Sequence, residues 1–301
     1  MRGCRWRTSP GFPSEEAGCA AYTPAVADGA DETGGELLAR AERRGPVTFV
    51  TLDSPHNRNA LSRRLVAQLA GALAEARDDP DVRAVVLTGT GTAFCSGVDL
   101  AERRSPAPAE PGAPTLPDVL SAIVSSPHPV VARVNGHVRA GGMGLVAACD
   151  FAVAPSSATF AFTEVRVGVA PAVIAVPALR RMARRAFERY ALTGEVFGAE
   201  EAAAAGLLHE AVDDLDALDA WVADLLSSLL RCAPGAVAAT KGLADLAERG
   251  WPDALETAAE LSEMLFASAA ASEGMAAFLE KRDPEWVAPW PPTAAGTAAP
   301  E

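Results

Sequence analysis

From Asn135 to Asp150 the chain reads N-G-H-V-R-A-G-G-M-G-L-V-A-A-C-D. A mostly apolar run, Pro129 to Val134, precedes it and stops at Asn135-Gly136, which predicts a buried strand. Behind it, Leu145-Val146-Ala147-Ala148 is small, apolar and compatible with a helix. Between the two, Ala140-Gly141-Gly142 brings bare backbone N–H groups to the start of that helix. Glycine puts no Cβ in the way of a ligand. The amides and dipole of a helix N-terminus favour developing negative charge, which is half of an oxyanion hole. A Gly-rich strand–helix turn that serves only close packing fits the same residues.

Working outward, Val82 to Leu87 is a second short apolar strand. Thr88-Gly89-Thr90-Gly91 and then A-F-C-S-G-V-D-L, from Ala93 to Leu100, follow it. Together the two segments resemble the crotonase family, also called the enoyl-CoA hydratase/isomerase superfamily, over roughly residues 45–286. The resemblance implies an α/β fold, a crotonase-like spiral of ββα units with a C-terminal helical trimerisation region. It also implies that the two oxyanion amides are those of Val98 and Gly141. The bare alternation of strands and helices through residue 135 points independently to crossover units and an α/β architecture.

Composition sets the outer limits. The 301 residues allow one large domain or two small ones. A net charge of −13 argues against a nucleic-acid partner. Cys4, Cys19, Cys95, Cys149 and Cys232 form no C-x-x-C pair, so neither a metal site nor a disulfide framework is expected. Cys95 and Cys149 read as small core residues. The longest uncharged apolar stretch, Val167 to Leu179, carries two prolines and is too short to span a bilayer. A cytoplasmic protein with no membrane partner is expected.

Residues 1–33 lack periodicity and read as a disordered leader. The core is expected over 34–225, a helical oligomerisation region over 226–287, and a disordered Pro/Ala-rich tail over 288–301. Val47 to Leu52 reads as a strand; Ser62 reads as an N-cap, with Leu65, Leu69 and Leu73 on one helix face before Asp78-Asp79-Pro80. Ser105 to Pro117, with five prolines, reads as a surface loop and either a lid or an idle insertion. Thr159 to Arg166 alternates like a strand, and Leu179 to Arg185 reads as a basic helix.

Hydration of an unsaturated thioester needs a polarised thioester oxygen, a water delivered to Cβ and a proton delivered to Cα. Proton transfer needs a side chain with a tuned pKa. The resemblance implies two glutamates for it. One is present as Glu164 in F-A-F-T-E-V-R, among apolar neighbours that should raise its pKa. Strand alternation puts 164 and 166 on one face, so pairing of Glu164 with Arg166 is the competing structural reading. The other position holds Gly144, a vacant acid–base site. A hydratase using one carboxylate, or an isomerase moving a proton between carbons, fits that layout, and a thioester hydrolase shares its oxyanion chemistry. His137 and Arg139 are nearby groups to hold a water. A CoA-ester-binding protein without turnover is the alternative of another class.

For coenzyme A, part of the substrate and the only cofactor-like group expected, the resemblance implies binding by Arg58, Ala60 and Ser96. Val98 and Gly141 would bind the thioester, and Phe266 and Lys281 would reach the adenosine phosphates of a neighbouring subunit in a homotrimer or hexamer. Lys281-Arg282 also suits a helix C-terminus.

Overall fold

The computed structural model describes residues 36–104 and 111–292. The leader 1–33, the expected loop's residues 105–110 and the tail's residues 293–301 therefore lie outside the described residues. β1 (Ala39–Arg44) pairs antiparallel with β2 (Val47–Leu52) across a turn at Gly45. β1 is a strand that the sequence reading did not include, because its A-R-A-E-R-R sequence offers one buried face only at its start. α1 (Arg63–Asp78) follows, capped by the Ser62 side chain, which accepts from the Leu65 N–H at 3.2 Å. Leu65, Leu69 and Leu73 are all buried.

Then come β3 (Ala84–Gly89), β4 (Ala93–Cys95), α2 (Leu100–Arg103), α3 (Leu116–Ser125), β5 (Val130–Arg133), β6 (His137–Arg139) and α4 (Gly141–Ala148). β7 (Phe151–Pro155), β8 (Thr159–Ala161), α5 (Ala172–Arg181), α6 (Arg184–Thr193), β9 (Phe197–Gly198), α7 (Ala199–Ala204) and β10 (Glu210–Val212) complete the core. One sheet runs β1-β2-β3-β5-β7-β10 and is parallel beyond the first pair; the second runs β4-β6-β8-β9. Every residue of β2, β3 and β5 is buried, as parallel strands covered on both faces require.

α4 packs against α3, α5, β4 and β6 and is buried at every position. The first-turn glycines face three different neighbours. A Cβ at Gly141 would meet Leu61 Cδ1 at 2.9 Å, one at Gly142 would meet Cys95 Cβ at 2.8 Å, and one at Gly144 would meet Ile174 Cγ2 at 2.6 Å. The glycines therefore let α1's leading loop, β4 and α5 all close on the same turn of helix.

α8 (Leu215–Leu229), α9 (Pro234–Gly242), α10 (Trp251–Phe266) and α11 (Ala269–Glu280) follow. α8 buries Leu218, Val222 and Leu226 against β2, β3, β5 and β7 and belongs to the core. The expected core boundary at 225 thus falls inside a helix; the break comes after Leu230, before Pro234. The expected tail also starts too early, since Trp290 stacks on Phe49 at 6.0 Å and Ala288 donates to the Leu230 carbonyl. Two further expectations are corrected. The alternating segment is a strand only to Ala161, and Glu164–Val167 is a turn of 3₁₀ helix. The basic helix is broken at Met182-Ala183, where both residues turn extended. No single helix among the described residues is long and apolar enough to cross a membrane.

Inside, the buried Arg133 of β5 reaches Asp219 of α8 at 2.5 Å and ties that helix to the sheet.

Candidate active site

A cleft of about 720 Å³ opens between the loop after β4, α2, the start of α3, the start of α4 and the segment from Thr163 to Ile174. Most of its lining is apolar; Ser96, Val98, Gly141 and Glu164 all face it.

Two loops build the entrance. Arg58 and Asn59 both adopt left-handed backbone, with φ of 59° and 56°. Non-glycine residues hold that conformation only where surroundings over-determine it. Here the fully buried Asn59 does so: its Oδ1 accepts from the Ser54 N–H, and its Nδ2 donates to the carbonyls of Thr90, Ala93 and Phe94. Ser96 closes the second loop on the first, its N–H donating to Arg58 O at 3.0 Å and its hydroxyl to Asn57 O at 3.1 Å.

Beyond Ser96 the chain pairs with Leu61. The Leu61 N–H donates to Gly97 O and the Asp99 N–H to Leu61 O, in a parallel bridge. That alternation turns the Val98 N–H away from Leu61. Among the described residues, neither it nor the Gly141 N–H donates to a protein acceptor. Gly97, at φ +89°, brings the two amides together: a Cβ there would stand 3.2 Å from Gly141 N. Ala140, before Gly141, is itself at φ +46°. Two free amides converging on one cleft, one of them at a helix start, form a preorganised site for a developing oxyanion.

Glu164 supplies the titratable group. The 3₁₀ turn leaves its Oε2 buried and without a hydrogen-bond partner, so burial pushes the carboxyl above the ordinary glutamate range, partly offset by a bond from its own N–H. Pairing with Arg166 does not occur: that guanidinium turns to the Thr193 carbonyl. A carboxylate held unpaired beside an anion-stabilising pair can move a proton to and from a carbon acid.

Other expected residues fall elsewhere. His137 bonds Thr159 Oγ1 and Arg139 bonds the Val138 and Thr159 carbonyls, and neither lines the cleft. Ala60 is buried with its N–H on Asn57 Oδ1, whereas Arg58 is exposed beside the entrance. Gly144 is buried and does not line the cleft; Ile174 does. Phe266 and Lys281 lie on the outside of α10 and α11, with Lys281 capping α11 in left-handed backbone. Cys95 is a buried core residue whose thiol burial pushes up to about 12. Sequence reasoning did not find Asp99, which caps α2 at the cleft wall, or Ile174; Asp99-Leu100-Ala101 carried a capping signal that identifies the first.

Fold and site together set two free backbone amides and a buried carboxyl around one apolar cleft. The model of the enoyl-CoA hydratase/isomerase family matches residues 42–289, and the chain belongs to that family, the crotonase superfamily. It is 34% identical over 252 residues to the (E)-benzylidenesuccinyl-CoA hydratase of Thauera aromatica, covering 79% of this chain and 94% of that one. AtuE of Pseudomonas aeruginosa is 37% identical, with a TM-score of 0.78 over 83% of this chain and 100% of that one. An enoyl-CoA hydratase from Mycobacterium avium is 46% identical, with a TM-score of 0.62 over 83% and 99%.

Proposed function

We propose that the protein is an acyl-CoA lyase that adds water across the 2,3 double bond of a 2-enoyl-CoA. The observation that carries this reading is the buried, unpartnered Glu164 oxygen in the cleft shared with the free Val98 and Gly141 amides. Glu164 takes a proton from water as the oxygen bonds to C3. The amides of Val98 and Gly141 hold the negative charge that moves onto the thioester oxygen, and the protonated Glu164 returns its proton to C2. The hydratase names of the relatives support the same reading.

A second reading is supported by the closure of position 144. With no side chain there, Glu164 alone can shift a proton from C2 to C4 of a 3-enoyl-CoA through the dienolate, giving the 2-enoyl isomer. Incubating the protein with 2-enoyl- and 3-enoyl-CoAs and reading the products by mass spectrometry separates the two. A gain of one water from the 2-enoyl ester supports hydration; interconversion without mass change supports isomerisation. Binding with neither product would leave a CoA-ester-binding protein.

We also infer assembly into trimers or hexamers. Trp251, Phe278 and Leu279 are 79%, 83% and 80% exposed on α10 and α11, more apolar surface than a monomer needs to show. In that assembly Phe266 and Lys281 would approach a neighbour's CoA, with Arg58 holding phosphate at the entrance. Light scattering that finds only an active monomer excludes it.

A further inference from the structure

We propose that Ile174 selects the acyl group, admitting straight apolar chains and excluding substituents at C3, and that Gly144 is what allows it to stand there. The proposal rests on the acyl-CoA reading above. Gly141, whose amide faces the thioester oxygen in that reading, lies three residues before Gly144 on the same helix. Positions i and i+3 of a helix are neighbours about 5–6 Å apart. Whatever occupies the space beside Gly144 therefore stands next to the first carbons of the acyl group, not its far end.

That space is taken by Ile174. A Cβ on Gly144 would lie 2.6 Å from Ile174 Cγ2, 3.0 Å from its Cβ and 3.5 Å from its Cα. Ile174 is only 3% exposed, yet it lines the cleft, so its side chain is held by α4 on one side and presents an edge to the ligand on the other. Its neighbours along the same wall, Val169, Ala170, Pro171, Ala172 and Val173, carry no charge and no side-chain hydrogen-bonding group. A group against this wall finds apolar contact and a fixed boundary. Cores of this kind do not yield by a methyl group without cost. A pocket that distinguishes one methyl group does so by about tenfold or more.

The test uses two saturated esters that bind without turnover, butyryl-CoA and 3-methylbutyryl-CoA. Calorimetry on the wild type should give tighter binding of the straight chain, and Ile174→Ala should shift the ratio of dissociation constants toward the branched ester by about tenfold. Ile174→Val, a smaller change if the alanine variant folds poorly, should shift it less and in the same direction. In parallel, Gly144→Ala should lower Tm in the wild type and lower it less in the Ile174→Ala background, because the 2.6 Å contact is gone and the 3.0 Å contact remains. A ratio within twofold of wild type in both Ile174 variants overturns the selectivity role and leaves Ile174 a packing residue. Equal Tm losses in the two backgrounds overturn the role of Gly144. A wild type that binds neither ester overturns the acyl-CoA reading itself, and the proposal falls with it.

Discussion

Gly97 faces Ala140 so closely that a Cβ on Gly97 would come within 2.6 Å of the Ala140 Cβ and 3.1 Å of the Arg139 carbonyl. The contact fixes the separation of the two free amides, since Gly97 precedes Val98 and Ala140 precedes Gly141.

Gly97→Ala should therefore separate the amides and also strain a backbone held at φ +89°. Losing one such donor lowers turnover by about 10²–10³. We expect kcat on the best enoyl-CoA to fall by at least about 10² while circular dichroism stays native. A variant with wild-type kcat would dissociate this contact from catalysis.

Glu164→Gln keeps the side chain's shape and removes its proton. Turnover should fall by about 10² or more, with acyl-CoA affinity close to wild type. The acid limb of the wild-type pH–rate profile should lie above the ordinary glutamate range, because burial raises this carboxyl.

The same shift predicts a sign for stability. The folded state holds the Glu164 proton to a higher pH than the unfolded chain does. Its contribution is thus complete below the ordinary carboxylate value and is lost as pH rises through the raised one. Glu164→Gln should be more stabilising near neutral pH than in acid, as measured by urea denaturation at the two conditions. The opposite order would mean the carboxylate finds a partner when charged.

Arg133, buried in the sheet, and Asp219, largely shielded on α8, form the pair that ties that helix to the sheet. Removing one partner from such a pair leaves a buried charge and costs about 3–5 kcal/mol, whereas replacing both with apolar groups is often neutral. Asp219→Ala should lower unfolding free energy by that amount, and Arg133→Met/Asp219→Leu should recover most of it.

Phe278→Asp, on the exposed face of α11, should weaken self-association without lowering the subunit's Tm. Analytical ultracentrifugation at micromolar and nanomolar concentration reads the change; unchanged sedimentation would remove α11 from the interface.

Much of the site was legible because its parts are local. The N-G-H-V-R-A-G-G run, the S-G-V-D step and Glu164 each bring a cleft-lining group within a few residues, and Ser62 caps α1 as its position implies. What was not legible depends on pairs far apart in the chain. Gly144 reads as an empty position until α5 folds back and Ile174 fills it. His137 and Arg139 lie close in sequence to Gly141, but β6 turns them to Thr159 and away from the cleft. Glu164 and Arg166 part company because the period-two pattern gives way to a 3₁₀ turn after Ala161. The core boundary expected at 225 cuts through α8 for the same reason: only the parallel sheet beneath it shows that Leu226 still has somewhere to go.

Asn59 joins the loop that precedes α1 to the strand that precedes Val98, spending every hydrogen bond of one buried amide on the connection. The entrance loop and the strand that leads to Val98 are thereby one body. A ligand meets a mould already set, so association should proceed as a single step with little ordering of backbone. Changes that loosen this joint will move ground-state binding and turnover together, and selection acting on one of those properties in this chain cannot leave the other alone.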